Sequence, residues 1–172
     1  MEQANARRKH RQQRKSSKGQ MESISAIYFG EDRYLRVVNQ PKANPGFVST
    51  ISNTATNFRL AEKFGNIGLI AHNYLGGRHF HEVEVGDQIH VMDGHGQRRT
   101  YRVKELICYQ AVSPNSVRSN FIDLEDNKLY TATDVFKRVY KGKHHLVLQT
   151  CIKKGRNEEW GRKFVIAFPE KR

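Results

Sequence analysis

The chain has 172 residues and carries 30 Lys and Arg against 17 Asp and Glu, a formal net charge of +13. This length allows one ordinary domain with a hydrophobic core and leaves little room for a second. No segment approaches the roughly 18 apolar residues of a membrane-spanning helix, and no apolar stretch follows the basic start, so we expect neither a transmembrane anchor nor a signal peptide in it.

The first predicted element is a basic segment. Residues 1–18 contain seven Lys and Arg, one Glu and almost no apolar side chains. Such a segment cannot offset its ordering entropy by burial, so we predict a disordered basic tail over residues 1–20 and a single folded domain over residues 21–172. A basic tail attracts phosphates and anionic membrane surfaces whatever the domain does.

Short apolar runs with turn residues between them dominate the predicted domain. We predict helices at Gln20–Phe29 and Thr133–Tyr140, the second capped by Asp134. Runs of aromatic and β-branched residues predict strands at Tyr34–Val38, Phe47–Ser52, Asn57–Leu60, Gly68–His72, Gln88–Asp93, Arg99–Tyr109, Leu129–Tyr130, Leu146–Cys151 and Arg162–Phe168. Many short strands and few helices favour a mainly β fold, a barrel or a sandwich.

One pair of predicted strands carries the strongest chemical signal. The strand Leu146–Cys151 ends on Thr150 and Cys151, and the next strand opens on Arg162. If the two strands form a hairpin, Cys151 faces Arg162 with Cα atoms roughly 5 Å apart. Because a nearby cation favours the thiolate, this arrangement suits a reactive cysteine better than a packing cysteine.

A cysteine nucleophile also needs a base, and His72 is the candidate. It ends a small apolar strand in the same way that Cys151 ends its own, so adjacent strand ends would bring imidazole and thiol together. Each of these residues taken alone is more often a packing residue, a satisfied histidine or a surface charge. The joint pattern of Cys151, His72 and Arg162 favours catalysis.

The order of these segments resembles the sortases, the bacterial cysteine transpeptidases. The matching segments are Ile70-Ala71-His72, Val85-Gly86-Asp87-Gln88-Ile89-His90-Val91, Val147-Leu148-Gln149-Thr150-Cys151 and Gly161-Arg162-Lys163-Phe164-Val165. The resemblance covers about 100 residues, from Gly68 to Phe168. It implies a closed sortase-like β-barrel with one or two short helices.

The resemblance also implies an activity and partners. Cys151 would attack a carbonyl in a C-terminal sorting signal, His72 would transfer the protons, and Arg162 would hold the developing oxyanion. Arg156, in the predicted loop Ile152–Gly161, is the rival arginine. The thioester would pass to an amine of peptidoglycan or of a pilin subunit, at the extracytoplasmic face of a bacterial membrane. A peptidase in which water resolves the thioester is the alternative enzyme.

Further expectations concern substrate contacts, cofactors and other classes of function. We expect Thr150 and Trp160 to contact substrate, and we expect no metal or other cofactor, with calcium dependence left open. His79-x-His81 in a strand would place both rings on one face, but its spacing is not diagnostic of zinc. The non-enzymatic alternative is a basic β-barrel that binds nucleic acid. Cys108 is expected to be a core residue.

Overall fold

The strands and helices of the domain are short and follow the apolar runs of the sequence. The computed structural model describes residues 23–171, so the predicted basic tail at 1–20 lies outside the described residues. The strands of the described part are β1 (Ile24–Phe29), β2 (Arg33–Asn39), β3 (Thr54–Asn57), β4 (Ile67–Ile70), β5 (Gln88–Asp93), β6 (Arg98–Ala111), β7 (Phe121–Asp123), β8 (Leu129–Tyr130), β9 (Leu146–Lys154) and β10 (Asn157–Pro169). The helices are α1 (Arg59–Glu62), α2 (Arg78–His81) and α3 (Ala132–Tyr140).

Eight of these strands close into a barrel. Their order is β10-β9-β4-β3-β2-β1-β5-β6, and β10 pairs with β6 to complete the ring. Strands β7 and β8 extend from β6 outside the ring. The prediction of a mainly β, closed-barrel fold is therefore confirmed, with three short helices where one or two were expected.

The sheet buries apolar side chains on both faces. The barrel interior holds one cluster, which includes Leu69, Leu148 and Val165. A second cluster lies outside the barrel, where Val147 and Phe164 contact α3. Because successive strand residues point to opposite faces, neighbouring residues of β9 and β10 serve different cores.

Helix α3 covers the outer face of β9 and β10, and its sequence explains both its start and its buried side. Thr131 is the N-cap, and its hydroxyl accepts a hydrogen bond from the Asp134 backbone N–H (3.1 Å). The Asp134 carboxylate in turn accepts from the Thr131 backbone N–H, which completes a capping box. Val135 and Val139 are buried on one side. The helix predicted at Thr133–Tyr140 is confirmed, with Asp134 at the third helical position of the box.

The helix predicted at Gln20–Phe29 is wrong, since Ile24–Phe29 forms strand β1 between β2 and β5. A β-bulge between Ile24 and Ala26 shifts the register, so that Ile24 and Ile27, three positions apart, both lie in the cluster inside the barrel. The bulge breaks the alternation of the strand and gives its buried residues a spacing that mimics a helix.

The strand predicted at Phe47–Ser52 is also wrong, because this segment is irregular. The Gln40 side chain donates to the carbonyls of Pro45 (2.8 Å) and Phe47 (3.1 Å), and so satisfies backbone groups that a sheet would otherwise pair. The strand predicted at Asn57–Leu60 is displaced to Thr54–Asn57, and α1 follows it. No helix in residues 23–171 is long and apolar enough to cross a membrane.

Candidate active site

Cys151 and Arg162 are direct cross-strand neighbours. The hairpin is longer than predicted, since β9 runs to Lys154 and β10 begins at Asn157. Most of the predicted loop Ile152–Gly161 is therefore strand, and both residues lie inside strands rather than at their ends. The predicted register holds nevertheless, because Cys151 pairs with Arg162.

The directions of the β9 backbone carbonyls show whether Cys151 and Arg162 form a hydrogen-bonded or a non-hydrogen-bonded pair. The Gln149 carbonyl accepts from the Ala71 backbone N–H (3.1 Å), and the Cys151 carbonyl lies 3.0 Å from His81 Nε2. Both carbonyls thus face away from β10. Cys151 and Arg162 form a non-hydrogen-bonded antiparallel pair, the type in which Cα atoms approach to about 4.5 Å and side chains lie closest.

His72 follows β4, which lies parallel to β9 with Ile70 opposite Gln149. The Thr150 hydroxyl, which is buried, donates to the Ala71 carbonyl at 2.8 Å. This hydrogen bond joins the residue before Cys151 to the residue before His72. The two candidate catalytic segments are therefore tied to each other directly.

The turn that follows His72 packs directly against the hydrogen bond between Thr150 and Ala71. The Gly77 backbone N–H donates to the His72 carbonyl at 2.9 Å. A Cβ on Gly77 would stand 2.2 Å from Thr150 Oγ1 and 2.7 Å from the carbonyl oxygens of Ala71 and His72. Only glycine fits this close approach of turn and strand. The His72 ring stacks on Tyr74, with centroids 5.3 Å apart.

Cys151, His72 and Arg162 line one cavity of about 420 Å³. Its polar end also carries Glu159, and the remainder is largely apolar. The apolar wall includes Val48, Phe58, Ile70, Val117, Phe121, Val135, Phe136, Tyr140 and Phe164. An apolar cavity with a few convergent polar groups is the usual form of a ligand site.

Burial and charge act in opposite directions on the thiol. Burial is the main effect and raises the pKa of Cys151, the Arg162 guanidinium lowers it, and the Glu159 carboxylate raises it. The net result is a pKa above the ordinary thiol value. The resting thiol is therefore mostly protonated near neutral pH, and its reaction requires a base.

Backbone carbonyls hold the Arg162 guanidinium in place. Its Nη1 donates to the carbonyls of Glu159 (3.0 Å) and Gly161 (2.9 Å), and its Nη2 donates to that of Pro114 (3.3 Å). Within residues 23–171, no carboxylate lies within ion-pair distance of this guanidinium. The cation stays available to an anion that develops beside Cys151.

Of the other residues predicted from the sequence, Thr150 borders the cavity, whereas Trp160 and Arg156 are not among its lining residues. Thr150 borders the cavity, but its hydroxyl is committed to Ala71. Trp160 is not among the cavity-lining residues, and its ring lies under the Lys154 ammonium at 4.6 Å from the centroid. Arg156 lies at the hairpin turn, away from the cavity lining. Cys108 is half-buried in β6, and burial raises the pKa of its thiol.

Sequence reasoning missed the contact between His81 and the Cys151 carbonyl. His79 and His81, expected in a strand, lie in helix α2 because the chain turns at Gly76-Gly77. His81 contacts the Cys151 carbonyl, and Lys163 Nζ donates to the His81 carbonyl at 3.1 Å. Burial lowers the pKa of Lys163. Within residues 23–171, no group of three or more His, Cys, Asp or Glu side chains is placed to hold a metal ion.

Comparisons with known proteins identify the fold. No family model and no curated protein matches the sequence. Among solved structures, sortase A from Corynebacterium diphtheriae is similar with a TM-score of 0.52 at 14% identity, over 88% of this chain and 62% of that one. Sortase A from Listeria monocytogenes has a TM-score of 0.50 at 17% identity, over 87% of this chain and 88% of that one.

A third similar structure is that of Streptococcus agalactiae sortase C1, with a TM-score of 0.50 at 15% identity over 86% of this chain. This chain spans about two thirds of it, 66%. The chain therefore has a sortase-like fold, as the resemblance in its sequence implied. At these identities the likeness shows the fold alone.

Proposed function

We propose that this protein is a sortase-like cysteine transpeptidase that cleaves a sorting signal and transfers the acyl group to an amine. One observation supports the proposal above the others. His72 is distant in sequence from Cys151 and Arg162, yet β4 and the β9–β10 hairpin bring all three to the lining of one largely apolar cavity.

The proposed first half-reaction forms a thioester. His72 accepts the thiol proton while Cys151 Sγ bonds to a backbone carbonyl carbon of the substrate. The carbonyl oxygen becomes an oxyanion, which Arg162 stabilises. The amide C–N bond then breaks, and the His72 imidazolium gives its proton to the departing amine.

The second half-reaction restores the enzyme. An incoming amine attacks the thioester carbon, loses a proton to His72 and expels Cys151 as a thiolate, which takes that proton back. A new amide bond links the two substrates. If water enters instead, the product is a carboxylic acid, and the protein acts as a thiol peptidase.

The proposed substrates are secreted proteins with a C-terminal sorting motif, and the proposed amine belongs to peptidoglycan or to a pilin subunit. The proposed location is the extracytoplasmic face of a bacterial cell membrane. The apolar wall of the cavity suits an extended substrate segment with apolar side chains.

Mass spectrometry tests the proposal. The protein is incubated with a panel of sorting-signal peptides and a glycine oligomer as the amine. We expect an acyl adduct on Cys151, or a ligated product, that Cys151→Ala abolishes and Cys108→Ala preserves. Product formation should also fall by at least about a hundredfold in Arg162→Gln, which removes the oxyanion partner. Turnover that survives Cys151→Ala, or depends equally on Cys108, would refute this assignment.

A further inference from the structure

A second, larger cleft continues from the catalytic cavity. It has a volume of about 1140 Å³ and lies beside α1 and the segment before β9. Gln40, Pro45 and Phe58 line both this cleft and the catalytic cavity. The two spaces are therefore neighbours along one face of the barrel, and one extended ligand can occupy both.

The charge of the cleft differs from that of the catalytic cavity. Its lining carries four cations, Lys42, Arg59, Lys63 and Arg99, against one carboxylate, Glu62. The Asn57 side-chain amide already donates to that carboxylate. Among residues 23–171, no carboxylate lies within ion-pair distance of Lys42, Arg59 or Lys63. The cleft thus presents an excess of positive charge to an elongated ligand.

Other contacts fix the wall of this cleft. The His144 ring uses both nitrogens, Nδ1 with the Gly65 carbonyl (2.6 Å) and Nε2 with the Tyr101 hydroxyl (2.9 Å). The Arg59 backbone N–H donates to the Gln40 side chain at 3.3 Å. A fixed wall that carries several cationic side chains suits an ionic contact with an extended ligand.

The strand register gives the distance between the cleft and Cys151. The Phe58 N–H donates to the Gly68 carbonyl at 2.8 Å, and Gly68 lies opposite Val147. Phe58 therefore lies near the level of Val147, about 13 Å along β9 from Cys151, and His144, in the bend before that strand, is at most about 23 Å away. An extended peptide advances about 3.3–3.6 Å per residue, so it would reach the cleft about four to seven residues from the scissile bond.

We infer that the substrate of this protein is a polypeptide with acidic residues about four to seven positions from the bond that Cys151 attacks. The apolar stretch nearest the bond packs against Phe58, Phe136 and Tyr140, and the acidic stretch lies in the basic cleft. The peptide nature of this ligand rests on the proposed function. The acidic character of the ligand is inferred from the cationic side chains that line the cleft.

Peptide binding to the Cys151→Ala protein tests the inference without turnover. The probes are two dye-labelled peptides with the same apolar segment, flanked by four glutamates in one and four glutamines in the other. Fluorescence anisotropy should show that the glutamate peptide binds about tenfold more tightly at low salt, with the preference shrinking in high salt. The double variant Arg59→Glu/Lys63→Glu should remove the preference.

The matched control is Lys104→Glu/Lys128→Glu, which makes the same charge change at exposed positions outside the cleft. We expect this control to lower the preference less than threefold, since only long-range charge is altered. Equal binding of the two peptides, or the same loss in both double variants, would overturn the inference. Tighter binding of an oligothymidylate than of the glutamate peptide, lost in the cleft variant, would overturn it in favour of nucleic acid.

The outcome separates this inference from the proposed function. If no peptide acylates Cys151 but the glutamate peptide binds through the cleft, the proposed function is refuted and the inference of an acidic ligand is supported. If peptides acylate Cys151 at the same rate whether they carry glutamate or glutamine, the proposed function is supported and the inference of an acidic substrate is refuted.

Discussion

The hydrogen bond from Thr150 to Ala71 should matter for both stability and reactivity, and Thr150→Val tests it. The Thr150 side chain is 1% exposed. Without its hydroxyl, the buried Ala71 carbonyl loses its donor, which costs about 1–3 kcal/mol. A valine methyl is larger than a hydroxyl, and Gly77 already approaches Thr150 closely, so this small overpacking adds about 1 kcal/mol. We expect a total loss of about 2–4 kcal/mol in the free energy of unfolding.

Urea denaturation measures this loss directly. With a slope of about 2 kcal/mol per M, the midpoint should fall by about 1–2 M. Thr150→Ser is the matched control, because it keeps the hydroxyl and should lose about 1 kcal/mol or less for its missing methyl. Iodoacetamide should also label Cys151 more slowly in Thr150→Val than in the wild type, since one of the hydrogen bonds that hold the histidine segment on the cysteine strand is lost. Equal midpoints for the valine and serine variants would refute the reasoning.

Two further predictions use other features of the chain. The pH profile of Cys151 alkylation, followed by mass spectrometry, should move to higher pH in Arg162→Gln, because that variant removes the cation that lowers the thiol pKa. It should move to lower pH in Glu159→Gln, which removes a carboxylate that raises the pKa, and shifts of the opposite sign would contradict the electrostatic account. In helix α3, Thr131→Ala should cost about 1 kcal/mol in urea denaturation because the N-cap is lost. Thr133→Ala, an exposed control two residues later, should cost less than about 0.5 kcal/mol, and equal costs would argue against the cap.

The sequence predicted the β9–β10 pair well because the information is local. Continuous apolar runs marked both strands, and the short connection limited them to an antiparallel hairpin. The cross-strand partners Cys151 and Arg162 follow from that geometry. The ends of the strands could not be predicted, because polar residues such as Lys153 and Glu158 pair across the hairpin although their composition resembles a loop.

The elements and contacts that sequence reasoning missed depend on residues that are far away in the sequence. Strand β1 forms because β2 and β5 flank it, and nothing within Ile24–Phe29 itself reveals those neighbours. Likewise, His81 supports the Cys151 carbonyl only because the turn at Gly77 returns the chain to β9. Sequence patterns report local preference, whereas these contacts are products of barrel closure.

The parallel contact between β4 and β9 also has a consequence for how the protein matures. Ile70 and Gln149 are paired across 79 positions of sequence, so this contact has a high contact order and carries the entropic cost of closing a long loop. During synthesis, His72 emerges long before Cys151, and their two segments meet only when the last strands are added. In a nascent or partly unfolded chain the Cys151 thiol is therefore separated from His72, so under the proposed function transpeptidation can begin only when the two segments have met.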